Sequence, residues 1–219
     1  MKKIIKNIFL IIVLSLNLSA YEAGKDYIIL QNPIANLNNS VIEIFSYDCP
    51  FCYKFDKNII SKLMDDLNCD FMPIHIPQKA EFGEIATDMF AAFLIMDHKN
   101  KIKFNDINST FNKAKSGLFK AYHEEKKDFG SIENKNDIEE FKKILLEFAN
   151  ISQDEFDKFK NSHDEIQDFL NLCKDEQIYE IAKLRGIPAF VVNGKYLIEL
   201  DTIESYENLL DIIKELLKI

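Results

Sequence analysis

Residues 41–55 read VIEIFSYDCPFCYKF, and this stretch contains an apolar strand, a short turn and the start of a helix. The strand predicted at 41–45 has apolar side chains on both faces, which favours a central, buried position in a sheet. The helix predicted at 51–67 carries apolar residues at helical spacing. Cys49 and Cys52 therefore lie where a buried strand gives way to a helix.

The two cysteines have the spacing of a site for thiol–disulfide exchange. A helix N-terminus has unpaired backbone N–H groups and a partial positive charge, which stabilise the thiolate that reacts in exchange. Pro50 suits the first helical position because its φ is fixed and it lacks an N–H. A Cys-x-x-Cys pair also forms half of some zinc sites. None of the four histidines of the chain has the spacing of a zinc ligand with another Cys or His residue; they are His75, His98, His123 and His163.

Residues 1–20 read as a secretory signal peptide. They contain a basic start, an apolar run at 8–18 and a plausible cleavage site, Leu18-Ser19-Ala20. The apolar run is shorter than the ~20 residues that a membrane span needs, so export with cleavage is favoured over an uncleaved anchor. The destination that this leader predicts is a bacterial periplasm or its equivalent, which is oxidising.

The net charge limits the possible partners of the chain, and its composition indicates one compact unit. The 219 residues carry a net charge of −9, and the first twenty contain three lysines and no acidic residue, so the mature chain carries −12. This charge argues against nucleic-acid binding through phosphate contacts. The chain has no internal repeat and no Pro- or Gly-rich linker, so a second domain would be inserted rather than tethered.

The remaining pattern predicts a small mixed sheet interrupted by a helical block. Further strands are predicted at 27–30 and 71–76, the second weakened by Pro73. The region from about 80 to 182 is helical, and several of its phenylalanines are expected in its core: Phe90, Phe93, Phe104, Phe111 and Phe119.

The chain then returns to strand structure at its C-terminal end. A hairpin is predicted at 189–198 with its turn at Asn193-Gly194, followed by an amphipathic helix from about Ser205. Helices flanking a small mixed sheet make an α/β fold.

Pro188, which directly precedes the predicted hairpin, forms a second motif. A sheet tolerates proline at the start of a strand, and the residue before it, Ile187, is pushed toward extended geometry. Both a trans peptide at the strand entry and a cis peptide facing Cys49 fit the sequence, and trans is the commoner state in folded proteins.

Three segments resemble the DsbA family of periplasmic thiol–disulfide oxidoreductases, and the resemblance spans essentially the whole mature chain. YEAGKDY at 21–27 is similar to the family's mature start, and EIFSYDCPFCY at 43–53 to its active-site strand and helix. LRGIPAFVVNGKY at 184–196 is similar to its cis-proline loop and hairpin. The resemblance implies a thioredoxin fold with an inserted helical domain, and a cis Ile187–Pro188 bond.

The resemblance also implies a division of the chain into domains. A thioredoxin-like domain is expected at 21–78 and 178–219, after the signal peptide at 1–20. The inserted helical domain is expected at 79–177.

Five positions take on roles through the resemblance. Cys49 resembles the exposed attacking cysteine, and Cys52 resembles its buried partner. Pro188 resembles the cis proline, next to Ile187, whose backbone pairs with a bound peptide as an added strand. Glu43 matches the buried acid beneath the cysteines, where a raised pKa would suit proton exchange with Cys52. The alternative for Glu43 is an edge-strand residue facing water.

Two features depart from the family's common pattern. Pro50-Phe51 stands where Pro-His is commonest, although a Pro-Phe dipeptide resembles the specialised DsbL subgroup of oxidases. Phe51 cannot donate a charged hydrogen bond to the Cys49 thiolate and Asp48 adds a negative charge, so both predict a raised thiol pKa and a less oxidising disulfide. The lysine that often accompanies the buried acid is expected to be absent, with Pro73 near its place.

Cys69 and Cys173 remain outside the motif. An even cysteine count in an oxidising compartment favours a disulfide, but a bridge needs Cα atoms within about 7 Å. Cys69 begins the third predicted strand and Cys173 is predicted in the middle of a helix. Two buried free thiols are the narrowly favoured hypothesis.

These features predict an oxidase that donates the Cys49–Cys52 disulfide to unfolded exported proteins with cysteines. No bound cofactor, metal or nucleic acid is expected. The resemblance implies reoxidation by a membrane DsbB-type, quinone-linked oxidase. Two alternatives are a disulfide reductase or isomerase kept reduced, and a redox-inert chaperone that uses the same peptide groove.

Overall fold

The computed structural model of the protein describes residues 21–35, 37–103, 106 and 108–219. The predicted signal peptide at 1–20 and Phe104 therefore lie outside the described residues. Within the described part of the chain, none of the helices combines the length and apolar character that crossing a bilayer requires.

One mixed sheet organises the described chain. Its strands are β1 (Tyr27–Ile29), β2 (Ser40–Phe45), β3 (Asp70–His75), β4 (Ala189–Val192) and β5 (Tyr196–Ile198), in the spatial order β1-β5-β4-β2-β3. β2 pairs in parallel with β3 and antiparallel with β4, and all of its residues are buried, as predicted. β3 forms an edge of the sheet, which explains how the strand accommodates Pro73.

The helices flank this sheet and form the predicted helical block. α1 (Pro50–Phe55) continues through a π-helical turn (Asp56–Ile60) into α2 (Ser61–Asp66). The block contains α3 (Gly83–Lys99), α4 (Thr110–His123), α5 (Lys135–Ala149), α6 (Gln153–Lys160) and α7 (Glu165–Cys173). α8 (Glu176–Arg185) leads back to β4, and α9 (Tyr206–Leu216) follows a 3₁₀ turn (Leu200–Thr202). This arrangement confirms the α/β class.

The core consists of three hydrophobic clusters. Val41 and Phe190 project from one face of the sheet onto residues of α2 and α9, whereas Ile42 and Val191 project from the other face onto α8. The third cluster fills the helical block, where α3 contacts each of α4 to α7. The predicted core phenylalanines within the described residues are buried in it: Phe90, Phe93, Phe111 and Phe119. α4 also contacts α1, which brings the helical block against the Cys49 end of the sheet.

Cys69 and Cys173 are free thiols that belong to clusters on opposite faces of the sheet. Cys173 is buried as predicted, whereas Cys69 is only partly buried. Cys173 is the last residue of α7 rather than a mid-helix residue, because Asp175 caps a new helix by accepting a hydrogen bond from the Gln177 amide. Burial raises the pKa of Cys69 to about 11 and that of Cys173 to about 12. Both thiols are therefore protonated and unreactive at neutral pH.

Peptide mapping without reduction tests this separation. The sheet lies between Cys69 and Cys173 and keeps them from forming a disulfide. Alkylation of the unfolded, non-reduced protein should therefore modify both thiols fully. Recovery of a cross-linked peptide that contains both residues would contradict the arrangement.

His75 ties β3 to α3 and to the turn that precedes α1. Its Nε2 accepts a hydrogen bond from the Tyr47 backbone N–H at 3.2 Å, and its Nδ1 lies 2.7 Å from Thr87 Oγ1. The ring also stacks on Tyr47, with centroids 5.7 Å apart. Burial, aided by the charge of Lys115, lowers the pKa of His75 to about 3. The histidine is therefore a neutral core residue whose two ring nitrogens both have hydrogen-bond partners.

Acid sensitivity follows from this burial. The unfolded chain takes up a proton on His75 near pH 6.5, whereas the folded chain does so only near pH 3. Between these values the unfolded state binds more protons, so stability falls as the pH falls, by about 4 kcal/mol over the whole window. Denaturant titrations from pH 7 to 4 should show a shallower fall for His75→Phe than for the wild type.

The exposed residue His98 provides the matched control. His98→Phe should retain the wild-type dependence of unfolding free energy on pH. An equally steep fall in His75→Phe and the wild type would show that other groups cause the acid sensitivity.

Candidate active site

The Cys49 sulfur caps the N-terminus of α1. Cys49 has extended backbone angles, φ −78° and ψ 116°, and its Sγ accepts a hydrogen bond from the Cys52 backbone N–H at 3.2 Å. Pro50 is the first residue of α1, as predicted, and the Tyr53 N–H donates to the Cys49 carbonyl at 3.0 Å. The sulfur therefore occupies the position in which a helix end stabilises negative charge.

The two thiols differ strongly in acidity. Hydrogen bonding from the Cys52 side chain, with help from the backbone amides of Cys52 and Phe51, lowers the pKa of Cys49 to about 7. Burial and the carboxylate of Asp48 oppose this shift, so the predicted effect of Asp48 is present but outweighed. Burial raises the pKa of Cys52 far above its ordinary value, and its proximity to Cys49 adds to the effect. Near neutral pH, Cys49 is thus the thiol that ionises.

Solvent reaches only one residue of the cysteine pair. Cys49 is 9% exposed and Cys52 is fully buried. Cys49 is more exposed than Cys52, as predicted. It is nevertheless less exposed than expected for the attacking cysteine, because it packs in the hydrophobic cluster of the helical block. Phe51, two residues after Cys49, is 63% exposed.

The loop between α8 and β4 faces the Cys49 sulfur. The Ile187–Pro188 peptide is cis, as the resemblance implied, and the Ile187 carbonyl accepts a hydrogen bond from the Cys49 thiol at 3.3 Å. Gly186 has a φ of 80°, a conformation that glycine adopts at little cost, and it turns the chain out of α8. Arg185 forms an ion pair with Glu199 at 2.7 Å, which ties this loop to the chain after β5.

Glu43 lies in the interior of the sheet, on the strand that leads to the cysteines. It is fully buried, with Pro73 opposite it on β3 and Phe190 opposite it on β4, so the edge-strand alternative is wrong. Burial raises the pKa of its carboxyl, and the charge of Glu43 in turn contributes to the raised pKa of Cys52. Its Oε2 accepts a hydrogen bond from Lys115, whereas its Oε1 has no partner among the described residues.

Lys115 corrects the prediction that the buried acid lacks a lysine. Pro73 does stand opposite Glu43 on β3, but Lys115 reaches the carboxylate from α4, with Nζ 2.9 Å from Glu43 Oε2. The side chain of Lys115 is only 3% exposed. The sequence contains a signal for it, because Lys115 lies on the same face of α4 as the buried residues Phe111 and Leu118. A lysine within an apolar helix face indicates a buried ion pair.

α4 also supports the turn before Cys49. His123 Nε2 lies 2.8 Å from the Tyr47 carbonyl, and its ring stacks on Tyr53 with centroids 4.9 Å apart.

Across the described ranges, no group of three or more His, Cys, Asp or Glu side chains is placed to hold a metal ion. The arrangement of Cys49, Cys52 and the cis-proline loop can support exchange between a disulfide and an external thiolate.

Comparisons with known proteins agree with this chemistry. The thiol:disulfide interchange protein DsbL of Escherichia coli O6:H1 is 37% identical over 208 residues, which cover 94% of this chain and 90% of that protein. The crystal structure of Salmonella enterica serovar Typhimurium DsbL is 36% identical, with a TM-score of 0.83 over 92% of this chain and 99% of the other. No family model matches the chain.

A more distant structure extends the likeness in fold alone. The disulfide oxidoreductase DsbA from Proteus mirabilis is 21% identical, with a TM-score of 0.65 over 91% of this chain and 98% of the other. Together with the DsbL structure, it confirms the prediction of a thioredoxin fold for this α/β chain.

The acidity of Cys49 can be measured by its rate of alkylation as a function of pH. In the reduced protein the rate at Cys49 should rise with a midpoint near pH 7, while Cys52 remains unmodified. Asp48→Asn should lower the midpoint, because the Asp48 carboxylate opposes thiolate formation. A midpoint at the pKa of free cysteine, about 8.5, would show that the Cys52 thiol and the amides of the helix N-terminus do not stabilise this thiolate.

Proposed function

This chain belongs to the DsbL and DsbA family of thiol:disulfide interchange proteins, and from that premise we propose that it is an oxidase of exported proteins. Its thiol–disulfide oxidoreductase activity follows from the family. We propose in addition that electrons flow from client to enzyme, and that the site consists of Cys49, Cys52, Ile187, Pro188 and Glu43. The acidic Cys49 thiol at the start of α1 is the observation that carries this proposal.

The reaction begins with the oxidised enzyme. A client thiolate attacks Cys49 Sγ, the Cys49–Cys52 bond breaks, and Cys52 leaves with the electron pair and takes up a proton. A second client thiolate then attacks the client sulfur of the mixed disulfide, and Cys49 leaves as a thiolate. The client has lost two electrons and gained a disulfide, and the enzyme holds a dithiol. Stabilisation of the departing Cys49 thiolate by the amide of Cys52 favours this direction.

Client binding is proposed to use the backbone next to the reacting sulfur. Ile187 lies beside Cys49, and an extended client segment would pair with it as an added strand. The exposed ring of Phe51 offers an apolar contact for the side chains around a client cysteine. An unfolded protein supplies both an extended backbone and exposed apolar residues.

The setting of the reaction is part of the same proposal. We place the enzyme in the periplasm after removal of residues 1–20, with a membrane DsbB-type, quinone-linked oxidase restoring the Cys49–Cys52 disulfide. We also propose that 21–78 and 178–219 form the thioredoxin-like domain and that 79–177 form the inserted helical domain. This assignment gives α4 of the insertion a direct part in the site through Lys115.

One observation favours a second function, that of a reductase or isomerase kept reduced. The pKa of Cys49 is lowered to about 7, which is closer to the value of about 7 in thioredoxin than to the value of about 3.5 in DsbA. A less acidic thiol makes the disulfide less oxidising. The membership in the DsbL and DsbA family supports the oxidase, and the reduction potential separates the two functions.

Equilibration with glutathione measures that potential. We expect a value near the −120 mV of DsbA for the oxidase, and a value near the −270 mV of thioredoxin would support the reductase instead. Cys52→Ala should trap disulfide-linked clients on Cys49, since the buried thiol that displaces them is missing.

Cys49→Ala provides the control for this trap. The variant should form no mixed disulfide and should lose client oxidation. Folding of clients at the wild-type yield in the presence of Cys49→Ala would support a redox-inert chaperone.

A further inference from the structure

The last residue of α4 contacts the chain on both sides of the cysteine pair. His123 Nε2 lies 2.8 Å from the carbonyl of Tyr47, two residues before Cys49. The face of the same ring stacks on Tyr53, four residues after Cys49, with centroids 4.9 Å apart. One imidazole therefore joins the turn that precedes α1 to the first turn of α1, and the stacking sets the direction in which its edge points.

Tyr47 is also held at its other polar groups. Its backbone N–H donates to His75 on β3, and its hydroxyl accepts a hydrogen bond from the Phe82 backbone N–H, both at 3.2 Å. The Cys49 N–H donates to the Ser46 carbonyl at 3.2 Å and closes the turn. The contact from α4 to the Tyr47 carbonyl completes the fixation of this turn.

The geometry assigns the tautomer of His123. A carbonyl oxygen only accepts, so the neutral ring carries its proton on Nε2. His75 has the opposite tautomer, because its Nε2 accepts from the Tyr47 N–H. Burial lowers the pKa of His123, and the hydrogen bond to Tyr47 and the Asp48 carboxylate oppose this shift. The charge of Lys126 adds to the lowering. Protonation of the ring adds a proton at Nδ1 only, so the contact with Tyr47 persists in both charge states.

The position of the turn matters because it places the reacting sulfur. Cys49 Sγ accepts a hydrogen bond from the Cys52 N–H at 3.2 Å, and such a bond is strongest when the sulfur is a thiolate. A disulfide sulfur carries no charge and gains less from the same amide. A loosened turn would therefore destabilise the reduced enzyme more than the oxidised enzyme.

Other contacts keep α4 in place independently of His123. The next residue, Glu124, accepts a hydrogen bond from the Tyr53 hydroxyl and forms an ion pair with Lys57 at 2.8 Å. The opposite face of α4 is buried in the hydrophobic cluster of the helical block through Phe111 and Leu118. A substitution of His123 is therefore expected to leave the helix docked and to change its contact with the turn.

We propose that His123 is a positioning residue for the redox centre, whose Nε2–H fixes the Tyr47 carbonyl and so holds Cys49 where α1 stabilises its thiolate. The proposal deepens the proposed function and rests on it, because it takes Cys49 as the reacting thiol. The last turn of α4 thereby tunes the acidity of Cys49 and the oxidising power of the disulfide without touching either sulfur.

The test begins with His123→Phe. This variant keeps a ring that can stack on Tyr53 and removes the donor to the Tyr47 carbonyl. It should raise the pH midpoint of Cys49 alkylation by about half a unit, which makes the thiol an acid about threefold weaker. Above the midpoint, the equilibrium with glutathione should move about threefold toward the enzyme disulfide, because the reduced state has lost stabilisation.

His123→Gln is the rescue variant. Its side-chain amide can donate to the same carbonyl, so it should recover at least half of both changes, whereas a loss of ring packing alone would not be repaired. His163→Phe is the matched control. His163 also stacks on an aromatic ring, that of Phe159 at 4.0 Å between centroids, and its Nδ1 lies 3.0 Å from the Phe159 carbonyl, but it follows α6. This variant should keep the wild-type midpoint and equilibrium.

A wild-type midpoint and equilibrium in His123→Phe would overturn the proposal, and so would a Gln variant that behaves like the Phe variant. Nitrogen NMR tests the same contact in the unaltered protein if His123→Phe does not fold. The signals of His123, assigned by their loss in His123→Gln, should show a proton on Nε2 in the reduced enzyme, and a proton on Nδ1 alone would contradict the proposal.

These outcomes are separate from the direction of electron flow. A reductase-like potential of the wild type would defeat the proposed oxidase function. The differences between His123→Phe, His123→Gln and the wild type would still decide the role of His123.

Discussion

The site depends on one hydrogen bond, in which the Cys52 amide donates to the Cys49 sulfur at the start of α1. The residues preferred at this position, such as serine, threonine and aspartate, accept the hydrogen bond with a side-chain oxygen. A sulfur in the same place begins the helix, and the helix amides add to the effect of the Cys52 side chain in lowering the pKa of that sulfur. Pro50 supports both effects, because it leaves no amide of its own to satisfy. The Cys52 amide therefore contributes both to local helix formation and to thiol chemistry.

The rest of the site comes from distant parts of the chain that pack around this sulfur. Ile187 contributes its carbonyl from the loop after α8, and Glu43 lies on the strand that leads to the cysteines. α4 contributes Lys115 to the buried acid and His123 to the turn before Cys49. The helical block thus supplies charge to the redox centre as well as covering it. Lys115 forms ion pairs with both Glu43 and Asp56, and these contacts tie α4 to the sheet and to the helical run that begins with α1.

Patterns within a few residues predicted most of the fold. The apolar run of β2, the Asn193-Gly194 turn and the stripe of α9 are local signals, and each element formed where it was expected. The position of Cys173 was predicted less well, because the break between α7 and α8 depends on the Asp175 cap within a long helical pattern. The lysine partner of Glu43 was missed because Lys115 is 72 residues away and belongs to another helix.

The sequence by itself determined the strand, turn and helix at 41–55, the place of Cys49 at a helix N-terminus and the apolar surroundings of Glu43. These features follow from backbone geometry and side-chain periodicity, which act over one or two turns. Tertiary structure alone decided that the Ile187 carbonyl faces Cys49 and that the sheet separates Cys69 from Cys173. It also decided that Lys115 forms ion pairs with both Glu43 and Asp56. Such contacts depend on how separate elements pack, and distance along the chain carries no information about them.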